Sequence, residues 1–222
     1  MNFYAGMTNS VCRNLCGLEE TNVKLHHSGL SPFVRKVTIL AGFLRISKKI
    51  ELVAGKGNLM LRDPEFRKLN PSGQIPMLVT DEGEGLFDSP VICEYLNDFA
   101  KGKLIGRGDE RWRNLRDQAL GDSMCDAALQ LRYEIGLRPS ELQWQQWRNA
   151  WASKIIDTLT WLETRPDHLS GRHDIGVISI FVPLAFIDNR IPELSWRGDF
   201  PKVAAWFDAF SALPQVAATN PY

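Results

Sequence analysis

Four short stretches place polar or conformationally restricted residues where a helix or strand must begin: Ser31-Pro32, Asn70-Pro71-Ser72-Gly73, Gln74-Ile75-Pro76 and Asp88-Ser89-Pro90. Ser31 ahead of Pro32 sets an N-cap hydroxyl before a proline at the first helical position, where the missing N–H costs nothing. Read from the residues alone, Ser31 is a helix cap. Pro76 stands at the mouth of the strand-like run Met77-Leu78-Val79-Thr80 and has no N–H to give a ladder. It is therefore an edge device, or a bond held cis to turn the backbone toward something else. Asp88-Ser89-Pro90 repeats the cap-then-proline pattern with Ser89 as the cap, and by itself it too is an ordinary helix start. His26-His27 has the residue types of a metal ligand or a base, but adjacent strand residues face opposite ways and cannot both reach one site. The cysteines, Cys12, Cys16, Cys93 and Cys125, form no CxxC pair and suit neither a zinc site nor a disulfide framework. Cys93 and Cys125 fall on apolar helix faces as small hydrophobes.

The elements that must position these residues follow from periodicity. Val23 to His27 reads as a strand, and Val34, Val37, Leu40, Ala41 and Leu44 recur at helical steps behind Ser31. Lys49 to Val53 reads as a second strand, making a βαβ unit with parallel strands. A loop or short helix over Lys56 to Lys68 leads into the turn at Asn70–Gly73. The strand Met77–Thr80 turns through Asp81–Gly85 into Leu86-Phe87 as an antiparallel hairpin. The next helix buries Val91, Ile92, Tyr95, Leu96 and Phe99. From about Leu104 strand signals stop, and helices are predicted over Trp112–Leu137, Glu141–Leu162, Asp174–Asp188 and Phe200–Leu213. Trp144, Trp147 and Trp151, at three- and four-residue spacing, read as helix-packing core.

The chain has 222 residues, enough for one large or two small domains, and 44% hydrophobic residues can fill a core. Its 26 basic and 26 acidic residues leave no field to hold a polyanion, so nucleic acid is excluded as the expected partner. The most apolar run, Ile175 to Ile187, is too short for a membrane span. The first residues lack the charged start and sustained apolar stretch of a secretion signal, so a cytoplasmic location is expected.

The combination of Asn70-Pro71-x-Gly73-x-Ile75-Pro76-x-Leu78, then Asp88-Ser89-x-x-Ile92-x-x-Tyr95-Leu96, then an all-helical half, resembles the cytosolic glutathione transferases from Val23 to Tyr222. Ser31-Pro32-Phe33-Val34-Arg35-Lys36-Val37 is most similar to their bacterial serine-type branch. The resemblance implies an α/β plus all-α fold: an N-terminal extension (1–22), a thioredoxin-like glutathione-binding domain of order β-α-β-β-β-α (23–101), a linker (102–110) and an all-helical domain (111–222). It implies glutathione as co-substrate and no metal. The Ile75–Pro76 bond would be cis, letting the backbone of Ile75 pair with the cysteinyl part of glutathione as an added strand. Ser89 and its helix N–H groups would take the γ-glutamyl carboxylate, Asp88 the ammonium, and Gln74 a side-chain hydrogen bond. Ser31 would be the catalytic residue, donating to the thiolate at a helix N-terminus, with Ser28 as its competitor.

Phe33, Trp112 and Tyr133 are the implied lining for a small hydrophobic electrophile, with Arg113 beside them. The implied activity is glutathione transfer in detoxification by a homodimer. A non-catalytic or regulatory glutathione-binding protein of the same fold, or a glutathione-dependent isomerase or dehalogenase, stays open. A mixed-disulfide reductase is disfavoured, because a hydroxyl at Ser31 cannot form the disulfide. One departure from the family pattern is Gly171, where a Ser or Thr usually forms a capping box with Asp174. Asp174 is then a structural cap rather than a catalytic acid.

Overall fold

The computed structural model describes residues 23–55 and 63–221. The expected N-terminal extension with Cys12 and Cys16, and 56–62 of the expected Lys56–Lys68 connection, lie outside the described residues. A four-stranded sheet in the order β2-β1-β3-β4 forms the first half from β1 (Val23–His27), β2 (Ile50–Ala54), β3 (Met77–Val79) and β4 (Gly85–Leu86). β1 and β2 are parallel, whereas β3 runs antiparallel to both β1 and β4. Helix α1 (Pro32–Phe43) makes the parallel crossover, α2 (Pro64–Leu69) precedes β3, and α3 (Ser89–Phe99) follows β4. The sheet is buried through Val23, Leu25 and Leu78 against Val37, Leu40, Ile92 and Leu96 of α1 and α3.

The second half is helical, with α4 (Gly108–Gly136), α5 (Gln145–Glu163), α6 (Ile175–Arg190), α7 (Pro201–Ser211) and the short α8 (Pro214–Ala217). The apolar run noted in the sequence is α6, in which every residue from Ile175 to Ile187 is buried. Burying each Ile, Leu, Val or Phe contributes about 1.5–3 kcal/mol, so α6 is the apolar centre of this half. Pro183 sits inside α6 and cannot donate to the carbonyl of Ser179, four residues back. That freed carbonyl faces Gly121 of α4, where any Cβ would collide with it. A glycine and a proline on facing helices thus let α4 and α6 come together. Helix α1 bridges the halves: its sheet-facing residues lie under β1, while Arg35 stacks on Phe181 of α6 at 5.1 Å. Among the described residues no single helix is long and apolar enough to cross a membrane.

Four local expectations are corrected. Helix α3 is capped by Asp88 rather than Ser89, because Asp88 is extended and its carbonyl already accepts from Ile92 N at 3.0 Å. Its buried stripe consequently runs through Ile92, Cys93, Leu96 and Asn97, and Val91 is 48% exposed. Helix α5 starts at Gln145 rather than Glu141, since Ser140–Leu142 form a 3₁₀ turn and the extended Trp144 gives its N–H to Glu134 Oε1 at 2.8 Å. Trp144 and Trp147 are exposed and stack on each other instead of filling core; only Trp151, set edge-on to Trp147, is half-buried. The two described cysteines, Cys93 and Cys125, are free and buried. Burial pushes the Cys93 thiol up to about 12, so it is no nucleophile near neutral pH.

Candidate active site

The register decides which polar residues meet. His26 of β1 pairs with Met77 of β3, so Pro76 and Ile75 lie just beyond His27, at the sheet end where the chain leaves β1 toward Ser28–Ser31. Leu78 pairs with Leu86 of β4, and because that pair is antiparallel, Phe87 and Asp88 run back toward the same end. One end of the sheet therefore carries the start of α1, the Ile75–Pro76 segment and the start of α3. Gly55 closes this end: its N–H donates to His27 O at 2.6 Å, and a Cβ on it would lie 2.9 Å from both His27 O and Ile75 Cγ2.

Ser31 is the N-cap of α1, extended at φ −79° and ψ 122°, and its hydroxyl oxygen accepts from Val34 N at 3.4 Å. A hydroxyl has one proton and two acceptor lone pairs, so this long capping bond leaves the proton free to donate outward. Cap and donor are compatible roles for one oxygen. Ser28 lies in the preceding turn, and its carbonyl takes the Ser31 N–H at 3.1 Å. The competitor thus supports Ser31 through its backbone.

The Ile75–Pro76 peptide is cis, as is Phe87–Asp88. Asn70, fully buried, shapes the turn before Ile75: its amide donates to Gln74 O at 2.8 Å, and its carbonyl oxygen accepts from Ser72 N and Oγ at 3.0 and 2.6 Å. Gln74 itself is exposed, Ile75 half-buried and Pro76 buried. Asp88 is exposed and makes no capping bond, whereas Ser89 is 1% exposed in the first position of α3. The first turn of α3 holds no carboxylate and Asp88 makes no capping bond, so no side-chain cap occupies the leading N–H groups of this helix.

Sequence reasoning missed Lys36 and Asp122. Lys36 is 0% exposed on α1 and bonds Asp122 of α4 at 2.6 Å, with its ammonium 5.7 Å from the centre of the Phe33 ring. The one available signal is a lysine between apolar positions of α1; its partner lies 86 positions away and leaves no local trace. Burial raises the Asp122 carboxyl above its ordinary range against the opposing pull of Lys36. Phe33, half-buried beside this pair, stands close to Ser31.

The implied acceptor lining does not assemble as a whole. Trp112 and Tyr133 are 21 positions apart on α4, roughly 32 Å along its axis, too far to line one small-molecule pocket. Tyr133 lies two turns past Asp126 and on the same side of α4, about 16 Å beyond Asp122. Trp112 is 68% exposed near the start of α4, next to Arg111, which bonds Glu94 at 2.8 and 2.9 Å. Arg113 points into a separate cleft beside His168. Asp174 is the N-cap of α6, accepting from Gly176 N at 2.9 Å and Val177 N at 3.4 Å. With Gly171 offering no side chain, Arg172 takes over the clamp and bonds both oxygens of Asp174, at 2.9 and 3.0 Å. Among the described residues no group of three or more His, Cys, Asp or Glu is arranged to hold a metal ion.

Comparison with known proteins identifies the family. Residues 30–98 match the glutathione S-transferase N-terminal domain family and residues 145–209 the glutathione S-transferase C-terminal domain family. The chain belongs to the glutathione S-transferase family, with its thioredoxin-like first domain and helical second domain. It is 38% identical over 204 residues to the uncharacterized GST-like protein YibF of Escherichia coli (strain K12), covering 90% of this chain and 98% of that protein. A glutathione transferase family member from Pseudomonas fluorescens Pf-5, solved with bound glutathione, superposes with a TM-score of 0.87 at 38% identity, covering 90% of this chain and 100% of the other. A glutathione S-transferase from Methylobacillus flagellatus KT, solved with glutathione bound, gives a TM-score of 0.80 at 27% identity over the same shares.

Proposed function

We infer that the protein is a glutathione transferase that holds the glutathione thiol as thiolate and directs it at a small, largely apolar electrophile. The observation that carries this reading is the convergence of the Ser31 hydroxyl, the Ile75 backbone and the Asp88-bearing start of α3 at one sheet end. Solved relatives bind glutathione, which supplies the ligand for that end. Ile75 offers its N–H and C=O to the cysteinyl backbone. The first turn of α3, with Ser89, receives the γ-glutamyl carboxylate, exposed Asp88 the ammonium, and Gln74 adds a surface contact.

The sulfur then lies at the start of α1. A free thiol near pKa 8.5 is only a few per cent thiolate at neutral pH. One hydrogen bond from Ser31 Oγ and the positive helix end each contribute on the order of 1 kcal/mol, together lowering that pKa by about one to two units. The thiolate attacks an electrophilic carbon, forming the C–S bond while a leaving group departs with its electron pair, or while the adduct takes a proton from solvent. Phe33 and Tyr133 are the assigned acceptor-side residues; Trp112 is dropped from that set. The same reading carries a cytoplasmic homodimer acting in detoxification.

The test is glutathione conjugation across a panel of aryl halides and α,β-unsaturated carbonyls, with wild type and Ser31→Ala compared at pH 6.5. Turnover that falls at least tenfold in the variant supports the reading. Tight glutathione binding with no turnover on any acceptor would replace it with a glutathione-binding protein of the same fold.

A further inference from the structure

Away from the sheet end, the second domain carries a cleft of about 460 Å³ whose lining includes Arg113, Arg165, Asp167, His168 and Arg172. Arg113 is nine positions before Asp122 on α4, roughly 14 Å along the axis and half a turn round it, so the cleft opens on the opposite side from the Lys36–Asp122 pair. Its wall is rigidly built. Asp117, with no exposed side chain, accepts from Arg116 on one oxygen at 2.9 Å, and its other oxygen meets Arg172 and His168, each at 2.9 Å. Arg172 spends its remaining donors on Asp174, Asn114 Oδ1 and His168 O.

The rim differs from this wall. Arg165 donates to Trp161 O and Thr164 Oγ1 through one nitrogen, Nη1, and stacks 4.6 Å from the Trp161 ring centre; among the described residues no carboxylate contacts it. Arg113 has an ion pair with Glu110 only at 3.9 Å, beyond hydrogen-bond length. Two guanidinium forks with unspent donors thus face one concavity, against the single carboxylate of Asp167 on its lining. Planar forks of this kind match oxyanions in bidentate geometry.

We propose that this cleft binds a small dianionic oxyanion, a phosphate monoester or a dicarboxylate, between Arg113 and Arg165, at a site separate from the glutathione end. The test is isothermal titration calorimetry of the full chain with inorganic phosphate, phenyl phosphate and succinate at fixed ionic strength. Wild type is compared with the double variant Arg113→Ala/Arg165→Ala, which leaves the Asp117–Arg172 network whole. Saturable binding of either phosphate, weakened about tenfold or more in the double variant while glutathione affinity is unchanged, supports a phosphate-ester ligand. The same pattern with succinate alone assigns the site to dicarboxylates. No saturable binding of any of the three, or binding that the double variant leaves intact, overturns the proposal. Because glutathione binding is read separately, failure here leaves the transferase reading untouched.

Discussion

Ser31 and Lys36 sit five positions apart on one helix start, and they carry opposite burdens. The Ser31 hydroxyl uses a lone pair on Val34 N and keeps its proton for a ligand. Ser31→Ala is expected to cost about 1 kcal/mol in stability through the lost cap, leaving a folded protein in which activity can be read. Lys36 has no such freedom, since its charge is out of water and depends on Asp122. Lys36→Met is expected to lower stability by about 3 kcal/mol, near the lower end for broken buried pairs, because Asp122 is 19% exposed and can take up a proton. Adding Asp122→Leu is expected to restore most of that loss; urea midpoints of the two variants check both numbers. A double variant as weak as the single one would mean that Lys36 acts through packing on Phe33 instead. The contrast also marks what the sequence discloses at this scale. Ser31 and Pro76 are legible because caps and prolines act on their immediate neighbours, whereas a lysine whose counter-ion is on another helix is not.

Among the elements, the contact of α4 with α6 rests on the absence of a side chain at Gly121 against the freed carbonyl of Ser179. On an exposed helix Gly→Ala would gain about 1 kcal/mol of helix propensity. Here Gly121→Ala is expected to destabilise by about 1–3 kcal/mol, because α4 must move off α6. A variant with a raised thermal midpoint would show that the two helices are not packed this closely. The turn between α4 and α5 makes a prediction with pH. Glu134 accepts from Trp144 N at 2.8 Å and Arg138 Nε at 2.7 Å, and these bonds, the backbone one foremost, hold its carboxyl below the ordinary glutamate range. A depressed acid stabilises the fold above its unfolded value and loses that contribution as pH falls through the folded one. Between about pH 5 and 3 wild type is therefore expected to lose thermal stability more steeply than Glu134→Gln. Parallel curves for the two would rule this contribution out. Trp144 also explains why α5 starts later than periodicity predicts: helical spacing continues through Ser140–Leu142, and the long-range bond to Glu134 fixes Trp144 as the cap.

At the scale of the molecule, the sheet gathers what the sequence scatters over 57 positions, from Ser31 to Asp88. The order of elements along the chain and the helical second half were readable because alternation, proline and helical period all pointed to one arrangement. The acceptor side was not, since which residues of a 29-residue helix face a pocket depends on how α4 lies on α1 and α6, and those contacts involve Lys36 and Gly121. Central to the proposed function is the stabilisation of glutathione as thiolate by Ser31 at this sheet end. The most direct measurement is the ultraviolet absorbance of bound glutathione thiolate against pH, in wild type, Ser31→Ala and Ser28→Ala. A bound thiol titrating about one to two units below its free value is expected in wild type and Ser28→Ala, with roughly half of that shift left in Ser31→Ala, where the helix end acts alone. A bound thiol that titrates at its free value in all three proteins would contradict the claim and leave Ser31 a helix cap.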